Sequence, residues 1–194
     1  MTEPKPESKE KRIDPRVLRT RQLLKDALIA LMQEMDVDKI TVNRIAERAT
    51  INRVTFYLHY KDIHDMLETM ADEMARDVER VMTRTIEQHR SGTNEMMLLG
   101  LLEHIAANAD FYKVILGARK APIFHERLLN VFVSKITAGI RDMPVKNSQV
   151  QPDVAVWFGS AALIGTIGGW LRSDMPYTPS FMAKQFALLF RINS

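Results

Sequence analysis

The chain has no cysteine among its 194 residues, which excludes disulfides, thiolate metal sites and cysteine nucleophiles. Nothing argues for an oxidising compartment, so a cytoplasmic location is expected. Catalytic signatures are missing as well. There is no glycine-rich phosphate loop, no G-x-S-x-G elbow and no H-E-x-x-H pair, and Ser160 lies in a helical pattern between Gly159 and Ala161. An enzyme is not expected. The five histidines, His59, His64, His89, His104 and His125, form no i,i+4 pair, so neither a metal nor a cofactor is expected. No segment alternates apolar and polar residues in the manner of a strand. The polar opening MTEPKPESKEKR lacks the apolar run of a signal peptide. One uncharged stretch, Val154 to Leu171, approaches membrane-spanning length, but four glycines, Ser160 and Thr166 dilute it. It reads as a buried helix, with no membrane partner.

What is present is apolar periodicity and an uneven charge distribution. The hydrophobic content of 46% suffices for a core, and the net charge is only +3. Arg16, Arg19, Arg21 and Lys25 follow one another with no acid between them, whereas Asp62 to Arg90 holds eight acids and four arginines. A basic end on a neutral or acidic body suits phosphate steering, because such fields act within a Debye length of about 8 Å. Leu24, Leu28, Leu31 and Met35 form a helical stripe behind Pro15. A long uninterrupted pattern from Asp62 to about His89 follows, with Met66, Met70, Met74, Val78 and Met82 near one face. Further helices are expected at about 94–107, 109–116, 123–141, 152–172 and 180–192, separated by glycine, proline and asparagine. The expected fold is all-α.

The stretch from Lys39 to Lys61 carries the chemistry. It has five basic residues against one acid, Glu47, interleaved with hydroxyls, an amide and aromatics. Val42, Ile45, Ala46 and Ala49 make the buried stripe of a short helix capped by Thr41, and Asn52 caps a second helix on which Phe56 and Tyr60 sit one turn apart. That spacing is helix-turn-helix spacing. In such a unit the second helix enters the major groove and reads bases near its N-terminus. Arg53 is therefore the leading candidate for a base contact, with Asn52 as cap or contact and Thr55 facing a base methyl or a phosphate. Thr41 offers a hydroxyl to a phosphate, and Arg44 and Lys61 add cationic charge.

The run Ile40, Thr41, Val42, Ile45, Ala49, Ile51, Asn52, Arg53, Thr55, Phe56, Tyr57, His59 and Tyr60 resembles the DNA-binding signature of TetR-type transcriptional regulators. Its wording is similar to that of the Gram-positive branch with the Firmicutes-type C-terminal domain. Weaker likeness continues through His104, Phe111, Tyr112, Phe158, Gly165, Trp170 and Leu188. The resemblance implies a flexible basic arm over 1–14, a three-helix DNA-binding domain over 15–62, and a helical regulatory and dimerisation domain over 63–194, joined by the long helix. It implies a ligand-responsive regulator, commonly a repressor, on double-stranded DNA, with Tyr57 and His59 on phosphates. A coactivator or partner-protein sensor of the same fold is the alternative. Three positions depart from the family pattern. Thr50 stands where glycine is usual, Val54 replaces a small residue, and Ile63 replaces a lysine. Thr50 must either avoid the left-handed conformation or strain to reach it.

Ala161, Gly165 and Gly169 recur every four residues and would let backbones approach closely, and Phe181, Phe186, Leu189 and Phe190 form a second apolar stripe. Family members dimerise through their last two long helices, so these residues are the expected homodimer surface. Its recognition helices would meet half-sites about 34 Å apart. An unidentified small-molecule effector is expected in the helical body, against Met96, Met97, Leu101, His104, Phe111, Tyr112, Phe124 and Trp157, each of which could equally be core.

Overall fold

The computed structural model describes residues 14–88, 94–117, 121–142 and 150–191, with side chains described except at 85–88, 140–142 and 190–191. The expected arm over residues 1–14 falls, apart from Asp14, outside the described residues. Every regular element among those described is helical.

Helix α1 (Pro15–Glu34) starts where Asp14 accepts a bond from the Arg16 amide at 2.8 Å and Pro15 takes the first turn. It buries Leu24, Ala27, Leu28, Leu31 and Met32. A 3-10 turn over Val37–Lys39 leads to α2 (Val42–Arg48), which Thr41 caps through the Arg44 amide at 3.3 Å. Asn52 caps α3 (Arg53–Tyr57) through the Val54 amide at 2.8 Å. Helix α3 is shorter than the aromatic spacing suggests. It ends at Leu58, yet Tyr60 still packs inward beside Phe56, ring to ring at 5.7 Å.

Helix α4 (Ile63–Gln88) has 26 residues and so runs about 39 Å at 1.5 Å per residue. Asp62 accepts from the Asp65 amide at 2.8 Å, and Asp65 accepts from the Lys61 amide at 2.8 Å, a reciprocal cap. With Asp62 as its cap, α4 begins normally although Ile63 opens it. Lys25 of α1 pairs with Glu73 of α4, well inside the helix. A boundary drawn at residue 62 therefore falls at the start of a helix that both halves share. Helices α5 (Asn94–Ala107), α6 (Ala109–Gly117), α7 (Pro122–Asp142), α8 (Pro152–Arg172) and α9 (Pro179–Arg191) complete the body. Here α5 packs between α4 and α9, α7 packs between α4 and α8, and α6 reaches both α8 and α1. One continuous apolar core runs from Leu24 to Phe186. Arg127 binds Asp72 at 2.7 Å, and Lys135 donates to Thr83 at 2.8 Å, fixing α7 along α4.

Helix α8 is long and apolar enough to cross a membrane, with a mean hydropathy of 1.6 over its best 18-residue window, but half of that window is buried inside the protein. Leu163, Ile164, Ile167, Trp170 and Leu171 are its inner face. It closes through two left-handed residues, Asp174 at φ 57° and Met175 at φ 52°, the first paired with Lys113 of α6 at 2.6 Å.

Candidate nucleic-acid interface

The α2–α3 turn is the point where the local sequence and the observed backbone disagree most. Thr50 adopts φ 55°. Its amide donates to the Glu47 carbonyl at 3.0 Å, and the Ile51 amide donates to the Ala46 carbonyl at 2.9 Å. This pair of bonds is the Schellman closure of α2, with Thr50 at the position that glycine ordinarily fills. The conformation is reached by strain, since a β-branched side chain fits poorly there. Two other ties hold α2. Arg48 makes a two-pronged bond to Glu34 at 2.9 and 2.7 Å, and that bond holds the Glu34 carboxyl below its usual range. Arg44 turns back over the preceding loop and donates to the Met35 sulfur at 2.9 Å and the Lys39 carbonyl at 3.3 Å.

Against this frame α3 is anchored by one face and offers the other to solvent. Phe56 is fully buried, in the core that also takes in Ile45 of α2, while Arg53, Val54, Tyr57 and Leu58 are exposed. The Arg53 guanidinium donates to the Tyr57 hydroxyl at 3.0 Å and lies 5.5 Å from the ring centre, so the two side chains form one i,i+4 unit. Thr55 is half-buried, and Asn52 and Lys61 are exposed. His59 is half-buried. Burial pushes its imidazole below the usual histidine value, and the Arg21 charge adds to the effect, which favours the neutral ring.

Beneath lies a feature that sequence reasoning missed. The Tyr60 hydroxyl and the Arg21 Nε are both buried with no hydrogen-bond partner among the described residues. Burial first, and then Glu73, pushes the Tyr60 hydroxyl up to about 12. No spacing rule reveals such a pair, because Arg21 lies on α1 and Tyr60 in the loop between α3 and α4.

The expected effector-binding residues gather only in part. His104 and Tyr112 meet at 3.1 Å, Phe111 packs edge-on against Tyr112 at 5.3 Å and Phe124 at 5.8 Å, and Leu101 and Met97 belong to the surrounding core. Burial pushes the His104 imidazole down and the Tyr112 hydroxyl up. Trp157 does not join them. It is 67% exposed on the outer face of α8, because the helix turns Val156 and Ser160 inward instead. Two open surface clefts lie elsewhere. One, of about 560 Å³, runs beside Arg76, Arg80 and Arg84, and the other, of about 400 Å³, runs beside Leu23, Arg48 and Thr50.

The expected dimer residues divide as well. Ala161 and Gly165 are exposed, Gly169 is half-buried, and a Cβ added at Gly165 would meet nothing within 4 Å among the described residues. Phe186 is only 2% exposed, turned into the chain's own core, and the outward positions of α9 are Phe181, Leu188 and Leu189. The Phe190 side chain lies outside the described residues.

The family model for bacterial regulatory proteins of the tetR family matches residues 24–70, and that for a transcriptional regulator C-terminal region matches residues 92–191, over half of the chain. An uncharacterized HTH-type transcriptional regulator, YxbF of Bacillus subtilis (strain 168), is 38% identical over 71 residues. That stretch covers 36% of this chain and 19% of that protein, so under a fifth of the relative's length is matched. A TetR transcriptional regulator from Streptococcus agalactiae 2603V has TM-score 0.68 at 24% identity, over 91% of this chain and 96% of the other. NalD, the secondary repressor of the MexAB-OprM multidrug efflux pump in Pseudomonas aeruginosa, has TM-score 0.69 at 16% identity, over 91% and 96%. At these identities the two structures share a fold with this chain.

Proposed function

The chain belongs to the TetR family of bacterial transcriptional regulators, and from that premise we propose that it is a repressor that binds a palindromic operator as a homodimer and lets go on taking up a small-molecule effector. The DNA-binding regulator is the family's shared property; the repressor role, dimer and effector are this reading's own. One observation carries it. Helix α3 is held from behind by Phe56 and presents Arg53, Val54, Tyr57 and Leu58 outward, with no acid between Asn52 and Lys61. In this reading Arg53 swings from Tyr57 to a guanine edge, worth about 1 to 3 kcal/mol of discrimination. Thr41, Thr55, Tyr57, His59 and Lys61 hold phosphates, and Asn52 keeps its capping role. Arg44 braces the loop before α2 and reaches a phosphate only if it leaves Met35 and Lys39.

The outward apolar residues of α8 and α9, among them Phe158, Leu188 and Leu189 around Ala161 and Gly165, supply the dimer face. An effector would enter by parting the aromatic set of Phe111, Tyr112 and Phe124, where His104 and Tyr112 offer the polar contacts. Its arrival would shift α4, to which α1 is tied through Lys25 and Glu73. The ring-to-ring packing of that set gives some support to a second reading, in which the body binds a protein instead of a metabolite. Footprinting with purified protein on its own flanking DNA tests the proposal. A symmetric footprint that weakens steeply as salt rises is expected. Protection that appears only once a second protein is added would favour the other reading, and no protection at low salt with or without it would overturn both.

A further inference from the structure

The outward face of α3 has two stripes with different chemistry. Arg53 and Tyr57 make the polar one. Val54 and Leu58, one helical turn apart, make the other, and they are 66% and 77% exposed, with no neighbour among the described residues to cover them. Leu58 holds helical geometry as the C-cap, at φ −75° and ψ −17°, so it stays in line with Val54. Two bare apolar side chains, one on a five-residue helix and one at its C-cap, are a solvation cost that the protein could remove with any polar residue. Cations border the pair, with Arg53 on the same helix and Lys61 just beyond, and no acid lies between Asn52 and Lys61. A polyanion fits that border.

Within the major groove of DNA, base edges offer hydrogen-bond donors and acceptors and one apolar group, the C5-methyl of thymine. Opposite a G·C edge, Val54 and Leu58 would leave donors and acceptors dehydrated and unpaired, which is costly. We propose that Val54 and Leu58 are specificity-determining residues that read thymine methyl groups, so that each half-site carries a T·A pair beside the guanine read by Arg53. This rests on the regulator reading above. The Val54 side chain supplies the contact and its backbone is unaffected by truncation, because the cap bond to Asn52 uses the Val54 amide.

The test uses the full chain and duplexes recovered by selection from a random-sequence pool. Each thymine in the recovered half-site is replaced singly by uracil, which keeps every hydrogen-bonding group and removes only the methyl. At one or two positions the replacement should weaken binding about fourfold per half-site, the equivalent of one methyl group removed from water. For Val54→Ala or Leu58→Ala the thymine-to-uracil ratio at the matching position should collapse towards one, whereas Arg53→Ala should leave that ratio intact. Both positions are exposed, and circular dichroism confirms that the variants keep their helicity. Uracil tolerated at every position, or both alanine variants retaining the wild-type ratio, would overturn the inference while leaving the regulator reading standing. Failure to bind any duplex at low salt would sink the regulator reading, and this inference with it.

Discussion

Replacing Thr50 by glycine should make the protein more stable, although it removes a side chain and adds a residue that usually weakens structure. An L-residue in the left-handed region costs about 1 to 2 kcal/mol, and a β-branched one sits at the upper end. Glycine adopts φ 55° without that cost but loses about 0.5 to 1 kcal/mol more backbone entropy on folding. The difference favours Thr50→Gly by roughly 1 to 1.5 kcal/mol. Nothing else changes, since Thr50 is exposed and the two closing bonds of the turn, Thr50 to Glu47 and Ile51 to Ala46, are made by backbone. For a chain of this size 1 kcal/mol corresponds to about 2 to 4 °C in Tm, so a rise of a few degrees is expected by calorimetry, with a matching shift in the urea midpoint. Thr50→Ala keeps a Cβ and should gain less than glycine. Thr50→Pro fixes φ near −65° and deletes the donor to Glu47, and should cost about 3 kcal/mol or more. The sign decides the matter. Were Thr50 in an ordinary right-handed turn, glycine would destabilise by its entropy alone, so a lower Tm for Thr50→Gly would refute the strained Schellman closure.

Arg53→Ala should lower affinity for a selected operator about 10- to 100-fold while changing binding to random duplex far less; equal losses on both would mean that Arg53 holds a phosphate. Stability should fall as pH drops below the ordinary histidine value near 6.5. Burial lowers the folded-state values of His104 and His59, so between that value and their lower folded ones the unfolded chain binds more protons. The contribution is complete above the unfolded value and is lost on acidification; urea midpoints at pH 7.5 and 5 should show His104→Gln flattening the profile, and an unchanged slope would refute its share. Gly165→Leu should convert a dimer to a monomer by light scattering at unchanged helicity, because Gly165 is exposed and a Cβ there meets only open space among the described residues; a persistent dimer would move the interface elsewhere.

Several of these features are legible in the chain and several are not. The caps at Asp14, Thr41, Asn52 and Asp62 are local, each made by a side chain bonding an amide two or three residues on, so composition at fixed spacing reveals them. Helix positions follow from the 3.6-residue period, and the paired caps with the apolar Phe56 after the second mark the helix-turn-helix. The period does not say which apolar stripe meets the chain's own core. Phe186 and Trp157 both read as apolar residues on long helices, yet Phe186 turns inward and Trp157 outward. That outcome depends on how α9 meets α5 and how α8 meets α6 and α7.

The same division runs through the interface. By itself the sequence determined that the protein is all helix, that its cationic and amide-bearing residues lie around two short capped helices, and that Arg53 begins the second of them. Each of these is a property of neighbours along the chain. Only the tertiary structure decided that Thr50 accepts strain, that Arg44 folds back on Met35 and Lys39, and that Val54 and Leu58 stand bare on α3. The reason is physical: a turn angle, a side-chain partner and an exposed face are each the residue of competition among distant segments for the same core, and no local pattern contains that competition.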